Sequence, residues 1–214
     1  MKRFQISLAT LATLILAVGC ASEEHPAPDT ETPATSSDEH NSESREAGDA
    51  EHEDHEHTMF ALTSENTKVE FTGVKKSGDS HSGGFNTLTG EMEICEGSVL
   101  GIMVTIETDS LYSDAEKLTG HLKNEDFFSV NEFPEMKFES SSIKGEGDVT
   151  VTGMLTMHGK TEEVSFPATI TVDGETAKLN AEFKVDRTRF GMDYVGQPND
   201  PINAEVDIKV TVGG

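Results

Sequence analysis

The 214-residue chain reads as mainly β: about eight antiparallel strands closing a barrel, one inserted α-helix, and a disordered N-terminal tether ahead of them. Three observations carry this reading. Residues 149–172 hold two runs of strict apolar–polar alternation separated by a short polar turn. Turn residues recur at short spacing from residue 67 to the end. A single stretch, 113–122, joins a helix start signal to apolar residues at helical spacing.

The chain begins with Lys2 and Arg3, then an apolar run from Phe4 to Val18, then Gly19-Cys20. A short basic region, an apolar region near 15 residues and small residues at its end describe a secretory signal over residues 1–19. The run is too short for a membrane-spanning helix. Gly19-Cys20 resembles a bacterial lipobox, which implies that Cys20 is lipidated and holds the protein to a membrane without spanning it. With Cys20 so used, Cys95 has no partner for an intramolecular disulfide. Acids flank Cys95 and no cation adjoins it in sequence, so it reads as a structural thiol.

Residues 20–59 show no hydrophobic periodicity. They read as a disordered, self-repelling spacer, with 13 acids and one base between residues 21 and 59. Near its end His52, His55 and His57 stand among carboxylates and offer imidazoles to zinc, copper or nickel. Over the whole chain 40 acids face 16 Lys and Arg, a net charge of -24. That excludes electrostatic binding of nucleic acid or of anionic lipid surfaces and leaves an apolar ligand open.

Residues 60–214 form the folded domain. Val69 and Phe71 mark a first strand, and residues 74–84 read as a polar, glycine-rich return. Phe85 to Cys95 is a second strand, and Leu100, Ile102, Val104 and Ile106 give one face of a third. Ser113 to Glu116 has the form of a capping box, with Leu118 and Leu122 behind it as one helical stripe. Phe127, Phe128 and Phe133 follow as a hydrophobic plug between helix and sheet. A strand starts at Met136 and Phe138. Val149, Val151, Gly153, Leu155 and Met157 then share one face of the next. After the His158–Thr161 turn, Val164, Phe166, Ala168, Ile170 and Val172 share one face of its partner. Asp173-Gly174 turns the chain into Leu179, Ala181, Phe183 and Val185, and Val206, Ile208, Val210 and Val212 close it. Eight such strands in a closed barrel leave room for about one small ligand.

Four stretches of this domain resemble the YceI-like family. They are His121 to Phe128 with Phe133-Pro134 and Phe138-Glu139-Ser140; Gly153 to Thr161; Arg187 with Phe190-Gly191-Met192; and the closing strand from Glu205 to Val212. The segment 197–203 departs from the shorter turn the family has there. The resemblance implies a lipocalin-like barrel around an elongated apolar cavity, in the bacterial envelope, that takes a polyisoprenoid or a quinone-like lipid. Under that reading the cavity is lined by Phe71, Met92, Val104, Leu155, Met157, Phe166, Ile170 and Phe183. Met103, Met136, Met154 and Met192 would add adaptable surface wherever they point inward. His158 reads as a turn residue bonded to backbone and Arg187 as the ion-pair partner of Asp186 or Asp193; if the cavity has a polar mouth for a lipid headgroup, His121, His158 and Arg187 are its candidates.

No nucleophile motif, zinc-protease motif or phosphate loop is present, so the chain reads as a binding protein that requires no cofactor. The reading is therefore an envelope lipoprotein, facing the periplasm or the surface, that carries or sequesters an apolar lipid. Two alternatives stand beside it: a metal-buffering protein using the histidine tract, and a filled barrel serving as an interaction module.

Overall fold

The alternating segments pair as their hydrophobic register dictates. A computed structural model describes residues 56–213. Cys20, His52 and His55, and nearly all of the tether, lie outside them. The elements are β1 (His57–Thr63), β2 (Thr67–Lys75), β3 (Ser80–Phe85), β4 (Leu88–Cys95), β5 (Ser98–Glu107), β6 (Leu111–Ser113), α1 (Glu116–Leu122), β7 (Glu135–Glu146), β8 (Asp148–Met157), β9 (Lys160–Asp173), β10 (Thr176–Asp186), β11 (Gly196–Gln197) and β12 (Asp200–Val212). All strand pairs are antiparallel, in the order β1-β4-β5-β7-β8-β9-β10-β12-β2-β3-β6, with β11 attached to β12. The ladder curls, because β1 and β2 stand far apart in it and yet are joined through residues 64–66 alone. Gly213 N donates to Asn66 O at 2.7 Å and ties the last strand to that junction.

The β8–β9 hairpin sets the register. Val151 opposes Phe166 and Gly153 opposes Val164, so both apolar faces point inward. The loop is two residues, His158 and Gly159, both at positive φ (51° and 72°). This is the type I′ geometry whose twist matches the flanking strands.

The eight expected strands are β2, β4, β5, β7, β8, β9, β10 and β12, and four more are present among the described residues. β1 starts at His57, three residues inside the stretch assigned to the tether. β3 occupies part of the 74–84 segment read as a return. Its glycines permit a close approach: a Cβ on Gly83 would sit 2.2 Å from Tyr112 O of β6 and 2.6 Å from the Phe71 ring. β6 and β11 are three and two residues long, below what periodicity resolves.

The expected capping box does not form. Ser113 pairs with Gly83 as the last residue of β6, and its hydroxyl donates to Ala115 O at 2.9 Å. Helix α1 then starts at Glu116 with Ala115 as N-cap and no side-chain cap. Strand pairing has taken the serine from the helix.

Leu100 does not share the inward face of β5. Ile94 pairs with Val99 and Glu93 with Gly101, so Leu100 is an extra residue on β5 and is 51% exposed, while Val99 is 7% exposed. A β-bulge has reversed the alternation at this point. Leu100→Ala is therefore expected to change stability by under about 0.5 kcal/mol. Val99→Ala should cost about 1.5 kcal/mol, from two buried methyl groups. Urea denaturation midpoints of the two variants check this, and equal losses would contradict the bulge.

Three buried clusters hold the fold. One holds Leu62, Met92, Ile94, Val149, Val151, Phe166, Ile170, Leu179 and Val212 and fills one end of the barrel. At the other end Met136, Met157, Val185, Phe190 and Met192 form a second, and Leu111, Leu122 and Phe127 a third beneath α1. Phe85 and Phe128 pack against both of these. Cys95 is a free, buried thiol.

Candidate ligand cavity

Between the packed end and α1 the barrel is hollow. A cavity of about 460 Å³ opens beside α1, within the size range typical of small-molecule sites. Residues from eleven strands line it, from Leu62 on β1 to Val212 on β12, as does α1. Its midsection is aromatic. Phe166 stacks on Phe183 with ring centroids 4.1 Å apart and planes 9° off parallel, and Phe138 lies 5.7 Å from Phe166. Stacked and tilted rings present wide apolar faces at low entropic cost, which suits an elongated hydrocarbon.

Of the eight residues assigned to the cavity, Phe71, Met92, Val104, Leu155, Met157, Phe166 and Phe183 line it. Ile170 does not. It opposes Leu179 within the packed end, on the expected face but beyond the floor. Met136 and Met192 line the cavity, whereas Met103 and Met154 are on the outer face at 48% and 41% exposure. Phe127 and Phe128 of the expected plug also line it. Phe133 lies elsewhere, its ring 4.8 Å from that of His158.

Of the three mouth candidates His121 and Arg187 line the cavity and His158, bonded to backbone as its turn position suggests, does not. His121 has its ring edge-on to Tyr194 at 5.0 Å and its Nε2 3.0 Å from Asp126 Oδ2. His158 occupies the β8–β9 turn with Nδ1 3.1 Å from Phe190 O. Arg187 lines the cavity but forms no ion pair with Asp186 or Asp193. Arg187 as a residue is 5% exposed, and its guanidinium donates to three backbone carbonyls: Nε to Asn203 O at 3.2 Å, Nη1 to Met192 O and Nη2 to Ile202 O at 3.5 Å. A register shift between Ile202 and Val206 of β12 leaves Asn203 outside the ladder, and Arg187 serves its carbonyl. Burial pushes the guanidinium pKa down, and the charges of Asp186 and Asp193 push it up. Asp186 itself accepts from the side chain and backbone of Thr188, which hold its carboxyl below the usual carboxylate range.

The sequence reading missed Lys75, His81, Tyr194, Gln197 and Asp200, all of which border the mouth. A signal existed for two of them. Val69, Phe71, Gly73 and Lys75 continue one inward row on β2, and His81, Gly83 and Phe85 do the same on β3. The 197–203 departure forms the β11–β12 hairpin, with Gly196 opposite Pro201 and Gln197 opposite Asp200, and so builds part of the rim.

His57 lies on the outer face of β1 with Nδ1 2.6 Å from Glu93 Oε1. Among the described residues no group of three or more His, Cys, Asp or Glu side chains is placed to hold a metal ion.

The model of the YceI-like domain matches residues 60–213. The chain belongs to the YceI-like family. A UPF0312 protein of Pseudomonas putida is 34% identical over 116 residues, covering 50% of this chain and 60% of the relative. A UPF0312 protein of Pseudomonas fluorescens is 35% identical over 121 residues, 53% of this chain and 61% of the relative. The chain thus spans about 60% of the length of the curated relatives it matches. Among solved structures, Burkholderia cenocepacia BcnA superposes with a TM-score of 0.60 at 24% identity, covering 69% of this chain and 96% of that one. A polyisoprenoid binding domain from Saccharophagus degradans superposes at 0.58 and 11% identity, covering 74% and 100%. A Campylobacter jejuni YCEI protein does so at 0.50 and 18%, covering 62% and 84%. At these identities the likeness is one of fold. The YceI-like barrel here is an antiparallel sheet curled round an apolar cavity, with one helix at its mouth.

Proposed function

We propose that this YceI-like domain binds the apolar chain of an isoprenoid or quinone-like lipid inside its barrel, and that the whole protein is a bacterial envelope lipoprotein that carries or sequesters that lipid. The observation that carries the reading is the cavity itself, about 460 Å³ behind a ring of Phe71, Phe138, Phe166 and Phe183. Hydrocarbon placed there leaves water and meets close-packed apolar surface, worth about 25 cal/mol per Å². The polyisoprenoid binding described for the Saccharophagus degradans domain of similar fold supports the ligand class. A hollow barrel weighs against the filled interaction module. The signal-like residues 1–19 and Cys20 support export and anchoring, and the membrane is then the place where ligand is exchanged.

Native mass spectrometry of the full chain, with organic extraction of what co-purifies, tests this. One long-chain lipid per protein is expected, and Phe183→Glu, which puts a charge in the shaft, should lose it. An empty protein that also rejects added polyprenyl and quinone analogues would sink the reading.

A further inference from the structure

The charge inside the mouth runs opposite to that of the chain. Acids outnumber Lys and Arg by 40 to 16 overall, yet the basic side chains that line the mouth are Lys75, His81, His121 and Arg187, with Asp200 as the one carboxylate. Lys137 also borders the cavity, but its ammonium pairs with Glu135 at 2.8 Å and is largely exposed. The acids that answer these basic groups do so weakly or from outside. Lys75 Nζ is 3.9 Å from Asp200, a long contact. His81 and His121 bond Asp114 and Asp126 through one nitrogen each. Both aspartates are about half exposed and neither lines the cavity, so each imidazole keeps its other nitrogen for a ligand.

Arg187 is the sharpest case. Its three donations to backbone carbonyls leave two of the five N–H groups of a guanidinium, and no carboxylate pairs with this buried cation. The four groups share one place. Lys75 is the cross-strand partner of Ile202, whose carbonyl accepts from Arg187. His81 opposes Gly73, one inward position below Lys75. His121 packs on Tyr194, beside the Val195 carbonyl that accepts from Ile202 N.

A hydrocarbon chain alone makes no use of such a rim. We infer that the lipid bound here has an anionic oxygen head, phosphate or carboxylate, seated among Lys75, His81, His121 and Arg187, with its chain in the aromatic shaft. This rests on the lipid-binding reading above and names the head that reading leaves open. Charge-assisted hydrogen bonds in a partly dehydrated mouth are about twice as strong as neutral ones.

Equilibrium binding to the full chain separates the parts, using radiolabelled pairs that share a chain and differ in head: farnesyl monophosphate against farnesol, and palmitate against hexadecanol. Within a pair the apolar contribution cancels, so the ratio of dissociation constants reports the head alone. A gain of about tenfold or more for an anion over its alcohol is expected. In the Lys75→Gln/His81→Gln double variant, whose side chains sit at the open rim, the ratio should fall towards one. A gain confined to the phosphate assigns a prenyl phosphate, and one confined to the carboxylate a fatty acid. Equal binding of anion and alcohol by the unaltered protein overturns the inference and leaves the carrier reading standing. Failure of all four ligands to bind defeats the carrier reading itself, and this inference with it.

Discussion

Gly73→Leu is expected to abolish lipid occupancy while leaving the fold intact. Gly73 lies on the inward row of β2 between Phe71 and Lys75, and it lines the cavity. A Cβ built there meets no atom within 4 Å, so the added side chain grows into the empty space of the cavity that the ligand's chain would occupy. Filling an existing void is not overpacking, and leucine suits a strand better than glycine does. The expected outcome is loss of co-purifying lipid, with a thermal midpoint at or slightly above that of the unaltered protein. Lipid extracted per mole of protein, read beside a thermal melt, checks both halves. Full occupancy in the Gly73→Leu protein would place the ligand outside this shaft.

Arg187→Met is the variant with the largest expected cost to stability. Methionine retains much of the apolar stem but strands the carbonyls of Asn203, Met192 and Ile202 that the guanidinium serves. A buried polar group left unpaired costs about 1–3 kcal/mol. Water reaching the mouth spares part of this, so a net loss of about 3 kcal/mol is expected, or roughly 6–12 °C in thermal midpoint for a domain of this size. Arg187→Lys should recover only part, since an ammonium lacks the planar fork that spans several acceptors. A midpoint within 2 °C of the unaltered protein would show that the β12 register shift does not depend on Arg187.

Both variants lie where the sequence was read least well. Lys75 falls in the 74–84 segment, whose polar, glycine-rich composition reads as a return because polarity in a strand is ambiguous until its partner is known. Ser80–Phe85 is a strand because β2 and β6 flank it, not because its own side chains prefer extension. Ser113 carried a valid helix-start pattern, and its pairing with Gly83 overrode it. The reversal at Leu100 has the same character, since one bulged residue exchanges the two faces of a strand and leaves no mark on composition.

The sequence by itself determined the eight principal strands, the β8–β9 register, the apolar interior and the family to which the domain belongs. All of these follow from period-2 alternation, turn residues and short motifs, which are local properties of the chain. The tertiary structure decided that the barrel is hollow, that Ile170 lies beneath the cavity floor and Phe127 at its wall, and that Arg187 serves carbonyls rather than an aspartate. Alternation says which side of a sheet a residue faces but not how far along the barrel it sits. A void depends on the summed volume of side chains from eleven strands, which no single strand specifies.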